Sequence, residues 1–122
     1  MDASQVRKQL QQRQREISDL LRALKQHRPL VRGNVYNLRR KCGKARCRCQ
    51  DGHLHETWVL SVPEMGRKRM RTIPKGKRTQ WRSMTERYRR FRRARAQLVK
   101  LFAEVLNLVD QLERERTVHP PE

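Results

Sequence analysis

Three cysteines and two histidines lie close together in the stretch KCGKARCRCQDGHLHETW, residues 41–58. Thiolates and imidazole are the ligands that zinc prefers, and four of them close a tetrahedral structural site. His55 is favoured over His53 as the fourth ligand because it begins the outgoing strand, opposite the strand that delivers the first cysteine. The spacing predicts one structural zinc ion with four ligands: Cys42, Cys47, Cys49 and His55.

The positions between these ligands are filled by basic residues, namely Lys41, Lys44, Arg46 and Arg48. Three thiolates and one imidazole around a doubly charged cation leave a net negative site. Neighbouring cations are expected to lower the thiol pKa values and to balance that charge. The same side chains would form a basic rim around the metal.

Other cysteine chemistry is poorly supported. A redox pair is typically Cys-x-x-Cys beside a βαβ pattern, and the sequence has neither. A nucleophilic cysteine needs a histidine and a carboxylate as partners, and a catalytic zinc needs a nearby base, for which only Asp51 and Glu56 are at hand. There is no Ser/His/Asp set and no glycine loop for phosphates. We therefore predict that the chain is not an enzyme.

The elements that must position the motif are two helices and three short strands. Residues 4–26 are predicted to be a helix that Ser4 caps and Pro29 ends. Strands are predicted at 33–41, 56–62 and 67–73, and the turn signal PEMG makes the last two a hairpin. On the middle strand, we expect one face to be buried, formed by Trp58, Leu60 and Val62.

The second helix is predicted from about Thr79 to Arg116. Apolar residues recur along both helices in steps of four and three, which indicates a helix packing along another helix. In the first helix the seam is Val6, Leu10, Ile17, Leu20 and Leu24, with a gap at Arg13. In the second it is Met84, Tyr88, Phe91, Leu98, Phe102, Val105, Val109 and Leu112, with a gap at Arg95.

These elements predict an α+β fold: an N-terminal helix, a small three-stranded antiparallel sheet carrying a zinc knuckle, and a long C-terminal helix that pairs with the first helix. The predicted segments of this single domain are 1–30, 31–76, 77–116 and a disordered tail, 117–122. Two alternatives remain: both seams pack on the sheet, or the chain dimerises through its C-terminal end. The residues predicted to pack on a partner helix are Leu98, Leu101, Phe102, Val105, Leu108, Val109 and Leu112.

Charge is distributed unevenly along the chain. The 31 basic and 12 acidic side chains give a formal net charge of +19. Residues 31–50 carry seven basic side chains and no acid, and residues 67–95 carry fourteen against Glu86 alone. Such a charge points to a polyanionic partner, so we predict nucleic acid. The predicted contacts are Arg39, Arg40, Lys41, Lys44, Arg46, Arg48, Arg67, Lys68, Arg69, Arg71, Lys75, Lys77, Arg78, Arg82, Arg89, Arg90, Arg92 and Arg93.

The cysteine usage and the first residues also predict a compartment. An odd number of cysteines, with Cys47 and Cys49 too close for an easy disulfide, is typical of a reducing environment. The N-terminal stretch is polar and helical, and no apolar run approaches the roughly 20 residues that span a bilayer. We expect a cytoplasmic protein with no membrane partner.

The motifs RRKCGKARCRC, WVLS, IPKGKR and RYRRFRR, with His55 between the first two, resemble a small prokaryotic family known as a domain of unknown function. The resemblance covers roughly residues 32–112. The family's histidine is usually followed by Gly-Pro, where this chain has Glu56 and Thr57. The resemblance implies His55 as the ligand, and a setting near mobile-element genes.

Three roles follow as hypotheses. The first is a DNA-binding accessory factor of a mobile genetic element. The second is an RNA-binding subunit of a ribonucleoprotein. The third is an adaptor whose C-terminal helix docks on a larger nucleic-acid-processing protein.

Overall fold

The computed structural model describes all 122 residues and has the predicted α+β fold. Its elements are α1 (Ala3–Leu24), β1 (Asn34–Arg40), a 3₁₀ turn (Arg48–Asp51), β2 (His55–Glu64), β3 (Arg67–Thr72) and α2 (Arg78–Arg116). Every predicted helix and strand is present, with ends within two residues of the prediction. Neither helix is long and apolar enough to cross a membrane.

Helix α1 begins earlier than predicted because Asp2, and not Ser4, caps it. The Asp2 carboxylate accepts a hydrogen bond from the Gln5 amide at 2.8 Å. The Gln5 side chain in turn accepts one from the Asp2 amide at 3.0 Å. This reciprocal capping box satisfies two amide groups that have no partner within the helix.

The chain divides into two compact units, of which the first comprises residues 1–27 and 91–122. In this unit α1 packs against α2, as predicted. Val6, Leu101 and Leu108 are the buried apolar residues here. The Arg13 guanidinium, at the gap in the α1 seam, forms an ion pair with Glu104 at 2.9 Å. A charged pair thus occupies the position at which the apolar pattern is interrupted.

The seam of α2 differs from the prediction in its C-terminal part. Leu101 and Leu108 are the buried residues, whereas Phe102 is 49% exposed and Val109 is 45% exposed. Leu101 and Leu108, both among the residues predicted to pack on a partner helix, are therefore the buried ones, and only the assignment of Phe102 and Val109 fails. The prediction was wrong for Phe102 and Val109 because Leu101 with Leu108 has the same seven-residue spacing, and the pattern alone does not say which of the two pairs faces α1.

The second unit, residues 28–90, contains the sheet, with strand order β1-β2-β3 and both pairs antiparallel. Its core is the buried cluster of Val35, Leu60 and Ile73. Partly buried residues pack against this cluster, namely Val31, Trp58, Val62 and Trp81. The predicted face of β2 thus does face the core. Val59, on the opposite face, is also buried, which the sequence pattern did not indicate.

Two connections shape this unit. At the tip of the β2–β3 hairpin, Met65 and Gly66 both have positive φ (51° and 78°), as a two-residue type I′ turn requires. The segment before β1 is hydrogen-bonded to the start of α2. There the Val31 amide donates to the Met84 carbonyl at 3.1 Å, and Arg87 donates to the Pro29 carbonyl at 2.7 Å.

Gly33 is required by packing, which gives a first prediction. A Cβ on Gly33 would lie 2.7 Å from the Ser61 carbonyl oxygen, whereas one on Gly43 would have no neighbour within 4 Å. We expect Gly33→Ala to lower the free energy of unfolding by about 1–3 kcal/mol, and Gly43→Ala to change it by about 0.5 kcal/mol or less. Urea unfolding followed by tryptophan fluorescence measures both; equal effects would contradict the packing argument.

Candidate metal centre and basic surface

The register of β1 and β2 brings the ends of the cysteine motif together. Arg40, the last residue of β1, is paired with His55, the first residue of β2. Cys42 follows two residues after Arg40 and therefore emerges beside His55. The two strands thus deliver the first and the last predicted ligand to the same end of the sheet.

The loop between the strands folds back on itself to deliver the other two cysteines. The Cys47 amide donates to the Lys44 carbonyl at 3.2 Å, and the Gln50 amide donates to the Cys47 carbonyl at 3.1 Å. The 3₁₀ turn then carries Cys49 to a fully buried position. Gly52 ends the turn with a φ of 96°, a conformation that glycine adopts without steric cost.

The four predicted ligands converge. One ligand atom each from Cys42, Cys47, Cys49 and His55 lies within 4.8 Å of all the others. The Sγ atoms of Cys42 and Cys49 are 3.5 Å apart, and Cys47 Sγ is 3.1 Å from His55 Nε2. Sulfur atoms on a tetrahedral zinc ion are about 3.8 Å apart, given Zn–S bonds of about 2.3 Å. The cluster can therefore hold one zinc ion with little adjustment.

The geometry also decides between the two histidines and between metal and disulfide. His53 is not a member of the cluster. All three cysteines are free thiols, and the 3.5 Å between the sulfur atoms of Cys42 and Cys49 is far longer than the roughly 2.05 Å of a disulfide bond. With four protein ligands and no open position, the site is of the structural type.

The thiols differ in acidity. The hydrogen bond from the Cys49 backbone amide is the main reason that the Cys47 pKa falls to about 6, with further stabilisation from the thiols of Cys42 and Cys49 and from His55. Burial raises the pKa of Cys49. A doubly charged cation would offset the cost of burying the Cys49 thiolate.

Hydrogen bonds around the ligands hold the loop in place. The Cys42 amide donates to Cys49 Sγ at 3.3 Å. The Gln50 side-chain amide donates to the carbonyls of Cys42 and Lys44, both at 3.4 Å. Gln50 was not predicted from the sequence, because a polar residue inside a metal loop carries no pattern that distinguishes a role in bracing the loop from solvent exposure.

The basic residues within the motif are all exposed and surround the metal centre. This rim consists of Lys41, Lys44, Arg46 and Arg48. None of the four has an acidic partner within ion-pair distance. These four side chains make the solvent-facing side of the metal centre strongly positive.

Strand β3 is a second basic surface, since all six of its residues are exposed. Arg67 and Arg69 lie opposite Glu64 and Val62 of β2, and Arg71 lies opposite Leu60. Lys68 points to the other face of the sheet, because side chains alternate along a strand. Only Arg69 has an acidic partner, Glu64 at 3.2 Å. In β1, Arg39 is similarly paired with Glu56 at 3.3 Å, and Arg40 is exposed.

The start of α2 stacks its arginines on an aromatic ring. The guanidinium of Arg78 lies 4.3 Å from the centre of the Trp58 ring, and that of Arg82 lies 5.7 Å away. Both distances are within the range of cation–π attraction. Trp58, Lys75 and Arg78 also line a shallow pocket of about 280 Å³. Sequence alone gave no indication of this stacking, because Trp58 and Arg78 are twenty residues apart.

The remaining predicted contact residues are distributed as follows. Lys75 and Lys77 are exposed in the loop before α2. Arg89 donates a long hydrogen bond, 3.5 Å, to the Gly33 carbonyl, and Arg90 is exposed. Arg92 and Arg93 belong to the first unit and are exposed there.

A family model described as a domain of unknown function (DUF6788) matches residues 7–83. The match includes most of α1, the whole sheet and the cysteine motif, and it ends within the second turn of α2. It thus begins earlier and ends earlier than the stretch of 32–112 expected from the motifs. Comparison with curated proteins and with solved structures finds no match.

The two histidines provide a matched test of the metal centre. We expect His55→Ala to lose most of its bound zinc because it removes one of four ligands, and His53→Ala to retain one zinc ion per chain. Metal content after dialysis, measured by elemental analysis, checks both. Cobalt substitution adds a spectroscopic readout, since tetrahedral thiolate coordination gives strong absorption bands. Equal zinc content in the two variants would show that His55 is not a ligand.

Removal of the metal should loosen the second unit. Both tryptophans, Trp58 and Trp81, pack against its core, so their fluorescence reports on residues 28–90. We expect a chelator to lower the unfolding temperature seen by fluorescence, and added zinc to restore it, because binding to the folded state alone stabilises that state. An unchanged transition would mean that the cluster contributes nothing to folding.

Proposed function

The chain belongs to the family described as Domain of unknown function (DUF6788), and from that premise we propose that it is a zinc-stabilised module that binds nucleic acid, with duplex DNA as the favoured ligand. The zinc site supplies the frame in this proposal and takes no part in a reaction. The basic side chains around that frame supply the binding surface.

Uncompensated charge in residues 28–90 is the observation that carries the proposal. This unit contains 19 basic and 4 acidic side chains, a formal net charge of +15. Only two of the basic residues, Arg39 and Arg69, lie within ion-pair distance of an acid. Repulsion among the others is relieved when phosphates replace the missing anions, and each contact releases counterions from the nucleic acid.

The placement of the charges supports a phosphate backbone as the ligand. The rim of the metal centre, strand β3 and the loop before α2 each present several exposed cations. Arg78 and Arg82 are one helical turn apart, an arrangement of like charges that destabilises a helix without an intervening anion. Stacking on Trp58 holds the Arg78 guanidinium in place and leaves its N–H groups available to a phosphate.

The aromatic residues of this unit favour a duplex over a single strand. Proteins that bind single strands present exposed aromatic rings on which bases stack. Here Trp58 lies beneath Arg78, and Trp81 packs against the core. Tyr36 is half-buried with its hydroxyl 2.8 Å from the Met70 sulfur, and Tyr88 is half-buried. Because each of these rings is partly buried, binding in this proposal relies mainly on phosphates.

Within this proposal the module acts as an accessory factor of a mobile genetic element, a role that rests on the resemblance of its motifs alone. An RNA ligand, with the chain as a subunit of a ribonucleoprotein, is the alternative outcome of the experiment. Isolation from the native host without nuclease treatment, followed by sequencing of the bound nucleic acid, separates these roles.

Two triple variants of equal charge test the binding surface. The first is Arg67→Gln, Lys68→Gln and Arg71→Gln in β3. The second is Arg7→Gln, Lys8→Gln and Arg15→Gln on exposed positions of α1. Both reduce the net charge of +19 by three. We expect only the β3 variant to bind substantially more weakly. Its slope of log affinity against log salt concentration should become shallower by about 0.9 for each phosphate that the variant no longer neutralises.

Fluorescence anisotropy across a salt series, with duplex DNA, duplex RNA and single strands as probes, measures these effects. Equally weakened binding in the two variants would show that only total charge matters and would contradict a defined surface. Tightest binding to duplex RNA would move the assignment to the ribonucleoprotein role. Absence of binding to every probe would refute the proposal.

A further inference from the structure

The first unit leaves an apolar stripe of α2 uncovered. Its members are Val99, Phe102, Leu106 and Val109, which are 57%, 49%, 64% and 45% exposed. They recur in steps of three and four residues and so lie along one side of the helix, over a length of about 15 Å. This stripe is distinct from the one that contains Leu101 and Leu108 and is buried against α1. Contiguous exposed apolar side chains of this kind mark an interaction site.

The two ends of the stripe carry charges of opposite sign. Arg95 lies four residues before Val99, and Glu113 lies four residues after Val109. Both side chains are exposed, and neither has an ion-pair partner within the chain. The six positions 95, 99, 102, 106, 109 and 113 are spaced 4, 3, 4, 3 and 4, so the pattern is the same in either direction about residue 104.

This symmetry identifies the occupant. We infer that the stripe docks on the same stripe of a second copy of this chain, with the two α2 helices antiparallel about a two-fold axis. In that arrangement Val99 meets the partner's Val109, Phe102 meets the partner's Leu106, and Arg95 meets the partner's Glu113. A parallel pair would instead place Arg95 against the partner's Arg95 and Glu113 against the partner's Glu113.

The charge of this region supports self-association. Residues 96–116 contain three basic and four acidic side chains, whereas the whole chain has a net charge of +19. Two such chains repel each other wherever their basic surfaces meet. The near-neutral part of α2 is where they can approach, and it offers little to a nucleic acid. The inference is therefore independent of the proposed function.

The packing of the first unit points the same way. Its two helices bury only Val6, Leu101 and Leu108 among their apolar residues, while Leu98, Val105 and Leu112 lie half-buried between the two stripes. A pair of helices cannot enclose a core, but two pairs form a four-helix bundle that does. A two-fold dimer would complete the burial of these side chains.

Sedimentation of the full chain, freed of nucleic acid by nuclease and high salt, tests the inference. We expect a species of twice the 14.8 kDa chain mass, and we expect Leu106→Asp to convert it to the monomer. Asn107→Asp is the matched control because it adds the same charge at the neighbouring exposed position, off the stripe. A wild-type chain that sediments as a monomer at all concentrations, or a dimer that Leu106→Asp leaves intact, would overturn the inference.

A charge exchange tests the antiparallel arrangement without altering an apolar residue. Arg95→Glu and Glu113→Arg should each raise the dissociation constant of the dimer by about tenfold, because the two-fold axis repeats the Arg95–Glu113 pair twice in the interface. The double variant, and an equimolar mixture of the two single variants, should recover it because opposite charges face each other again. Single variants as stable as the wild type would refute this pairing.

Discussion

A shortage of apolar side chains is the constraint on which the rest of this structure depends. Only about a third of the residues are hydrophobic, and the buried clusters contain few members. In residues 28–90 the core is Val35, Leu60 and Ile73 with their partly buried neighbours. The burial of so small a core offsets little more than the loss of conformational entropy, which opposes folding. A zinc ion on the four ligands would meet this deficit, because it would link the ends of β1 and β2 and the intervening loop.

The same constraint accounts for the segregation of charge. A basic residue at a core position would require an acid to neutralise it, and the chain has few acids to offer. Most of those acids lie in the helical unit, where Glu104 compensates Arg13 inside the seam. Such a pair adds little stability, since both side chains are partly exposed, but it leaves no unpaired charge at the gap in the seam. The 28–90 unit is left with its cations at the surface, where water and counterions screen them.

Much of the fold and of the metal centre follows from local sequence signals. The strands and their hairpin were predicted because alternation and turn residues act over a few positions, and the Met65-Gly66 turn confirms them. The ligand set was predicted because cysteine and histidine at these spacings have few other uses in a chain so poor in acids. The choice of His55 over His53 rested on its place at the start of a strand, and the pairing with Arg40 explains why that place matters.

What could not be predicted depends on contacts between distant segments. The α2 pattern contains two apolar stripes, and period alone does not say which one faces α1. The ion pair of Arg13 with Glu104 agrees with the observed choice, since Glu104 lies on the same side of α2 as Leu101 and Leu108. Once that side is turned toward α1, the side bearing Phe102 and Leu106 is necessarily turned away. The burial of Leu101 and Leu108 against α1 therefore also decides which apolar face of α2 is left for a partner.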